Sequence, residues 1–205
     1  MADLACRTGK DSDRAGAGIV RCRAWPITSR CSGGGWDDRE AFPARAQPVA
    51  GFDLTFSPVK SVSTLWAVAD RQMAAQIEQA HHAAVRDALR FLEENALFTR
   101  EGPQGIRQVN VRGLVAAAFI HRDSRAGDPD LHTHVAVANQ VQTLGGRWLS
   151  IDGRVLFKAT VAASETYNTA LEKHLRDRLG ARFADGPTRI RGNSLYARSS
   201  VSILR

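Results

Sequence analysis

The sequence predicts an α+β fold, a central antiparallel sheet flanked by helices, and three observations carry that reading. VAGFDLTFS at 49–57 alternates apolar and polar residues with the period of two that marks a strand covered on one face. GLVAAAFIHRD and LHTHVAVANQVQ are two runs rich in small and β-branched residues on either side of the polar loop SRAGDPD, the pattern of an antiparallel pair. Between and after these strands lie two long stretches with helical spacing. At 205 residues the chain is long enough for one well-buried domain with a tail or linker at either end.

Taken in order, residues 1–47 are rich in Gly, Arg, Asp, Ser and Pro, hold no sustained period, and read as an irregular or disordered segment. In the strand at 49–57, Phe52, Leu54 and Phe56 share one face, with Asp53, Thr55 and Ser57 on the other; Pro58 ends it. SVSTLWAVAD fits a helical turn or two. Met73, Ile77, Ala80, Ala84, Ala88 and Leu92 recur every three or four residues and mark an amphipathic helix over about 70–96. After the strand pair, LGGRW turns the chain into the short strand WLSID, where Asp152 can cap the next helix. That helix runs over 155–180 through Leu156, Val161, Ala162, Tyr167, Leu171 and Leu175, with Gly180 as its stop. Residues 185–205 read as an irregular basic tail. The ordered unit is therefore 48–184.

Composition is that of a soluble globular protein, and no apolar run approaches the ~20 residues of a membrane span. The start MADLACRTGK lacks an apolar signal-peptide core, so a cytoplasmic, reducing location is expected. Cys6, Cys22 and Cys31 are odd in number and irregular in spacing, which argues against a disulfide framework and against a zinc knuckle. Net charge is +7, yet Lys+Arg against Asp+Glu is 8 to 6 over residues 1–50, 16 to 15 over 51–185 and 4 to 0 over the last twenty. The excess sits in the flanks, so a nucleic-acid partner has to be argued from motifs rather than from total charge.

HRDSRAGDPDLHTH, residues 121–134, gathers three histidines and three aspartates into fourteen residues. On a strand, His132 and His134 project from one face with Thr133 on the other. A hairpin register that sets His121 beside them completes a three-histidine set on a sheet face, which leaves coordination positions open on a divalent ion. A lone HxH is often a surface feature, and Asp123, Asp128 and Asp130 fit turn chemistry better than ligation. Asp53, flanked by Phe52 and Leu54, needs a donor if its face is covered. It could orient a metal-bound histidine or accept a proton from a nucleophile, and an exposed edge residue is its other reading. Imidazole ligands favour zinc, nickel or copper by affinity.

GFDLTFSPVKSVS at 51–63 and AAAFIHRDSRAGDPDLHTHVAVAN at 116–139 resemble the relaxase domain of conjugative relaxases of the TrwC/TraI type, of the histidine-hydrophobic-histidine endonuclease class. The similarity continues through GGRWLSIDGRVLF and ASETYNTALEKHLRDRLGARF. The resemblance implies a metal held by His121, His132 and His134, with magnesium or manganese the usual ions of the family. It also implies metal-assisted, strand-specific nicking of single-stranded DNA at a transfer origin by a tyrosine near the N-terminus, which leaves a 5′-phosphotyrosyl link. Asp53 matches the family aspartate that orders the site and helps activate the tyrosine. Relaxosome proteins are further partners the resemblance implies. Lys60, Arg112, Arg122, Arg125 and Arg147 lie in or beside these segments as candidate phosphate contacts, with a solvated charged surface as the alternative.

The family nucleophile has no counterpart at its usual position. The tyrosines of this sequence are Tyr167, in the helical pattern and expected in the core, and Tyr196, in the tail. A serine or cysteine of the N-terminal segment is too short to stand in without rebuilding the site. The expectation is therefore an incomplete domain, truncated at both ends, that lacks a first strand and has lost nicking activity. Two alternatives stay open: a non-catalytic module that binds single-stranded DNA or metal, and a phosphodiesterase that uses metal-bound water.

Overall fold

The structure, a computed structural model, describes residues 19–26, 49–185, 189–191, 194–196 and 199–202. Cys6, Cys31 and most of the segment read as irregular lie outside them. Among the described residues the order is β1 (Ile19–Pro26), β2 (Val49–Ser57), α1 (Lys60–Val68), α2 (Arg71–Asn95), β3 (Phe98–Glu101), β4 (Arg107–Asn110), β5 (Ala116–Asp123), β6 (Pro129–Ala138), β7 (Val141–Gln142), β8 (Trp148–Leu149), α3 (Gly153–Leu179), β9 (Arg182–Asp185), β10 (Arg189–Arg191), β11 (Ser194–Tyr196) and β12 (Ser199–Ser202). The fold is α+β, as the sequence predicts.

The central sheet is antiparallel in the order β1-β2-β6-β5. On β2 the apolar set Phe52, Leu54 and Phe56 faces inward, and on β6 Leu131, Val135 and Val137 do the same. Against this face pack α2, through Ile77, Ala80, Ala84, Ala88 and Leu92, and α3, through Leu156, Ala163, Tyr167, Leu171 and Leu175. The alanines of α2 keep that helix close to its partners, and burial of this apolar area is the main driving force for the fold. Asp70 caps α2 by accepting from the Met73 amide at 2.8 Å. Gly180 closes α3 in the left-handed conformation at φ 61°, its amide donating to Arg176 O.

Several details differ from the sequence reading. Strand β1 lies inside the segment read as irregular and pairs with β2 along its length, Cys22 opposite Leu54 and Arg23 opposite Asp53. The sheet therefore does not lack a strand beside β2. Val20, Cys22 and Ala24 alternate with Arg21 and Arg23 and stand opposite Phe56, Leu54 and Phe52, and Cys22 and Ala24 pack against the core beside the ladder. The short antiparallel pairs β3-β4, β9-β12 and β10-β11 were not expected either; β10, β11 and β12 fall in the tail read as irregular, and β9 lies at the end of the unit before it. On α3, Val161 is 74% exposed and Ala162 is also exposed; Ala163 takes the buried position. Asp152 precedes α3 as expected but makes no side-chain cap. Its carboxylate pairs with Arg100 and Arg154, and its carbonyl accepts from the Val155 and Leu156 amides.

Gly51 marks a close approach of β2 to β6: a Cβ placed there would meet the Val137 carbonyl oxygen at 2.5 Å. Gly51→Ala is expected to cost about 1–3 kcal/mol, because the obstructing atom is backbone and cannot swing aside. An unchanged urea midpoint would show that the strands are not this close.

Burial pushes the pKa of His81 on α2 down to about 3, with the neighbouring His82 and His132 adding to the fall and Glu78 opposing it. The unfolded chain titrates this group near ~6.5. Its contribution is thus complete above that value and is lost as pH falls from about 6.5 towards 3, where the unfolded chain binds the extra proton. Urea denaturation at a series of pH values should show stability falling across this window, and more shallowly in His81→Leu; equal slopes would show that the folded protein protonates His81 freely.

Candidate functional site: a histidine triangle on the open face of the sheet

Because successive strand residues point to opposite faces, burying Leu131, Thr133, Val135 and Val137 turns His132 and His134 to the other side of β6. The β5-β6 register places His121 directly opposite His132 and Phe119 opposite His134. The three imidazoles form a near-equilateral triangle, with ring centres 5.1 Å apart for His121–His132 and 5.2 Å for each of the other two pairs. Imidazoles sharing one ion through metal–nitrogen bonds of ~2.1 Å would bring their ring centres to roughly this spacing.

Two of the rings are held from behind. The Nδ1 of His134 lies 3.0 Å from both carboxylate oxygens of Asp53 and 3.2 Å from Thr55 Oγ1. The Nδ1 of His132 lies 2.8 Å from the carbonyl oxygen of Asp130. A carbonyl or an ionised carboxylate can only accept, so both Nδ1 atoms donate and the Nε2 lone pair of each neutral ring is left for a ligand. This is the outer-shell support that metal-binding histidines receive. His121 makes no hydrogen bond to another described residue, and it sits on a strand exposed on both faces.

The donor chemistry therefore fits a divalent ion. The placement of the donor atoms is looser, for among the described residues no three His, Cys, Asp or Glu side chains close around a common ion position. The stacked arrangement of His121 and His132, 15° between ring planes, is where a triangle of rings falls short of a triangle of nitrogens. Of the two measures, the ring positions bear more on what the site can become. They follow from strand register, whereas an unanchored imidazole reaches a new rotamer cheaply.

The Asp53 carboxylate thus lies against the His134 ring, and β1 covers the edge of β2 beside it. Thr55 and Arg23 were not singled out in the sequence. Thr55 shares the face of Asp53 by the strand alternation, but its approach to His134, like the place of Arg23 opposite Asp53, is not visible without the register. Cys22 lies on the core side, opposite Leu54, and burial followed by the Asp53 charge pushes its thiol up to about 11. It stays protonated and is a poor nucleophile.

The five basic candidates do not gather on one surface. Arg122 reaches back to α2, where Nε and Nη2 each lie 2.9 Å from a carboxylate oxygen of Glu78; that hydrogen bonding holds the carboxyl below its usual range. Arg147 pairs with Glu101. Lys60 donates to the carbonyl of Pro129 and lies 3.8 Å from Asp130. Arg112 is exposed with its guanidinium near the Leu144 carbonyl, and Arg125 forms no ion pair among the described residues. Tyr167 is fully buried on the helix side of the sheet, where burial raises its pKa well above the ordinary value. The side chain of Tyr196 lies outside the described set.

The sequence profile of the TrwC relaxase family matches residues 5–200, wider than the 48–184 marked by the motifs. The chain belongs to the TrwC relaxase family. It is 39% identical over 137 residues to the multifunctional conjugation protein TraI of Escherichia coli, covering 64% of this chain and 8% of that protein. TraI of strain K12 is 39% identical over 102 residues, 49% of this chain and 6% of that one. Among solved structures, metal-bound conjugative relaxase TrwC in complex with OriT DNA aligns with TM-score 0.66 at 31% identity, covering 82% of this chain and 55% of its own. A copper-bound TrwC–OriT complex gives 0.64 at 31% identity over 83% and 54%. TrwC with a 27-mer comprising the recognition hairpin and cleavage site gives 0.63 at 34% identity over 75% and 54%. This chain thus spans about half of the solved TrwC chains and under a tenth of TraI. No helix among the described residues is long and apolar enough to cross a membrane.

The tautomers fixed by Asp53 and Asp130 can be read directly. At mildly alkaline pH, nitrogen-15 spectra of the imidazole rings should show His132 and His134 protonated at Nδ1. Asp53→Ala should release His134 from that form and leave His132 in it; an unaltered His134 would show that the carboxylate does not hold the ring.

Proposed function

We propose that the open face of the sheet is a relaxase-type site that holds one divalent ion and single-stranded DNA of a conjugative transfer origin. The observation that carries this reading is the triangle of His121, His132 and His134, with Asp53 behind His134, on the fold of a TrwC relaxase family member. A bound ion would supply positive charge for the non-bridging oxygens of a phosphodiester as negative charge builds there. The residues of the chain divide the remaining work. Nε2 of His132 and His134 and the ring of His121 bind, Asp53 orients, and exposed cations such as Arg112 and Arg125 attract the backbone. Lys60, Arg122 and Arg147 are already engaged with carboxylates or a carbonyl and contribute less. Magnesium or manganese is the expected physiological ion, with zinc and nickel also suited to the imidazole set.

The family's covalent step needs a tyrosine hydroxyl on the open face. Tyr167 does not provide it, for the sheet separates its ring from the histidines and its phenol is held by His81. This favours binding without covalent capture over tyrosine transesterification for the chain as its sequence stands. A metal-activated water remains the route by which such a site could still cut.

Incubation with transfer-origin oligonucleotides and manganese, resolved on a denaturing gel, should yield no protein–DNA adduct. Non-covalent binding should favour single strands and weaken steeply with added salt. Calorimetry should show His132→Ala or His134→Ala losing manganese binding, and Asp53→Asn weakening it by about 10–100-fold. An adduct abolished by Tyr167→Phe would overturn the assignment of Tyr167. Two free DNA ends would establish the water route, and a triple histidine-to-alanine variant that binds manganese as the parent does would remove the centre.

A further inference from the structure

The face of β6 turned away from the histidines carries a polar chain that the proposed reaction does not use. Thr133, the residue between the two histidines, is 2% exposed, and its Oγ1 lies 2.8 Å from His81 Nε2 on α2. The other ring nitrogen of His81 lies 2.7 Å from the hydroxyl of Tyr167 on α3. His81 and Tyr167 are completely buried. Their rings meet edge-on at 89°, and Phe56 of β2 packs against Tyr167 with ring centres 5.6 Å apart. The imidazole of His81 on α2 thus joins β6 to α3, and β2 packs against the tyrosine ring beside it.

We infer that Thr133, His81 and Tyr167 are positioning residues, a buried relay that fixes the angle at which His132 and His134 leave β6. The relevance to an ion rests on the proposed metal centre. The positional argument does not. Three apolar residues of the same shape could fill this space at nearly equal stability, whereas each polar group left unpaired there would be destabilising. What hydrogen bonds add beyond apolar packing is direction. A neutral imidazole has one donor and one acceptor, so the chain runs in a single sense, from Tyr167 through His81 to Thr133 or the reverse, and each member fixes the rotamer of the next. The hydroxyl so fixed is one peptide unit from each histidine. In the plane of the sheet the ladders to β2 and β5 set the register of β6, and the chain behind Thr133 adds direction from the helix side.

The test compares Thr133→Val, which keeps shape and removes the hydroxyl, with Thr133→Ser, which keeps the hydroxyl, and Tyr167→Phe, which removes one distant oxygen. Two readouts are taken: imidazole nitrogen signals of His132 and His134 in the metal-free protein, and the visible absorption spectrum and affinity of added cobalt(II). Thr133→Val and Tyr167→Phe should both move the ring signals, alter the cobalt spectrum and weaken cobalt binding about tenfold, within the range for outer-shell partners. Thr133→Ser should restore all three. Should Thr133→Val fail to fold, the Tyr167→Phe result decides. Parental ring signals and spectra in Thr133→Val and Tyr167→Phe would overturn the relay, as would a Thr133→Ser variant as impaired as Thr133→Val. Ring signals that move in a protein whose parent takes up no cobalt would uphold the positioning and remove the ion centre instead.

Discussion

Everything at this site depends on the two-residue period of β6. The strand is held at a fixed register between β2 and β5, and its odd-numbered residues from Leu131 to Val137 are buried under two helices. A slip of one position would bury His132 and His134 and expose three aliphatic side chains and a threonine, so the apolar face enforces the polar one. Asp53 obeys the same constraint on β2, where Phe52 and Leu54 fix the orientation of the residue between them. The hydrogen bond from His134 to Asp53 is then a consequence of two strands whose inward faces are chosen by hydrophobic burial. No separate device is required to bring a carboxylate 81 residues away in sequence to within 3.0 Å of an imidazole.

Charge is arranged by a different logic. Two of the candidate cations are engaged within the protein: Arg122, next to His121, is held in a two-point pair with Glu78, and Arg147, at the β7-β8 turn, pairs with Glu101. Exposed pairs of this kind contribute little to stability, a few tenths to ~1 kcal/mol, but each removes a full charge from the field a phosphate backbone would meet. The pairing of Arg122 has the further effect of tying the edge strand β5 to α2, at a point where β5 gains nothing from burial. A residue read from the sequence as a DNA contact thus acts as a tether.

What was legible in the sequence follows from which forces have short periods. The alternation of β2, the hairpin of β5 and β6, the seam of α2 and the stop at Gly180 are local patterns, and each occurs where it was read. Strand β1 was passed over, because the alternation of Val20, Cys22 and Ala24 with Arg21 and Arg23 is short and lies in a segment rich in Gly, Arg and Ser, more than twenty residues from its partner strand. Val161 was assigned to the buried seam of α3 because it fits the spacing, yet the helix face there has nothing to pack against. The triangle could be anticipated because a hairpin brings neighbours in sequence together. The roles of Arg122, Thr55 and His81 could not, since each depends on a partner from a distant element. His81 in particular looks like any polar residue on a long helix until Tyr167 and Thr133 are seen on either side of it.

The two faces of β6 also explain why one tyrosine cannot do another's work. Tyr167 has the functional group the family chemistry calls for, and its hydroxyl is only two hydrogen bonds from the residue between the histidines. Yet it is on the wrong side of a hydrogen-bonded sheet, and burial holds it in the neutral phenol form. For it to reach a phosphate on the open face, α3 would have to leave the core and take with it the contacts of Leu156, Leu171 and Leu175. Each such large apolar side chain is worth about 1.5–3 kcal/mol in burial, and a domain of this size has of order ten to spend. For Tyr167, the face of the sheet on which its hydroxyl lies decides what it can reach, and nearness through the fold is no substitute.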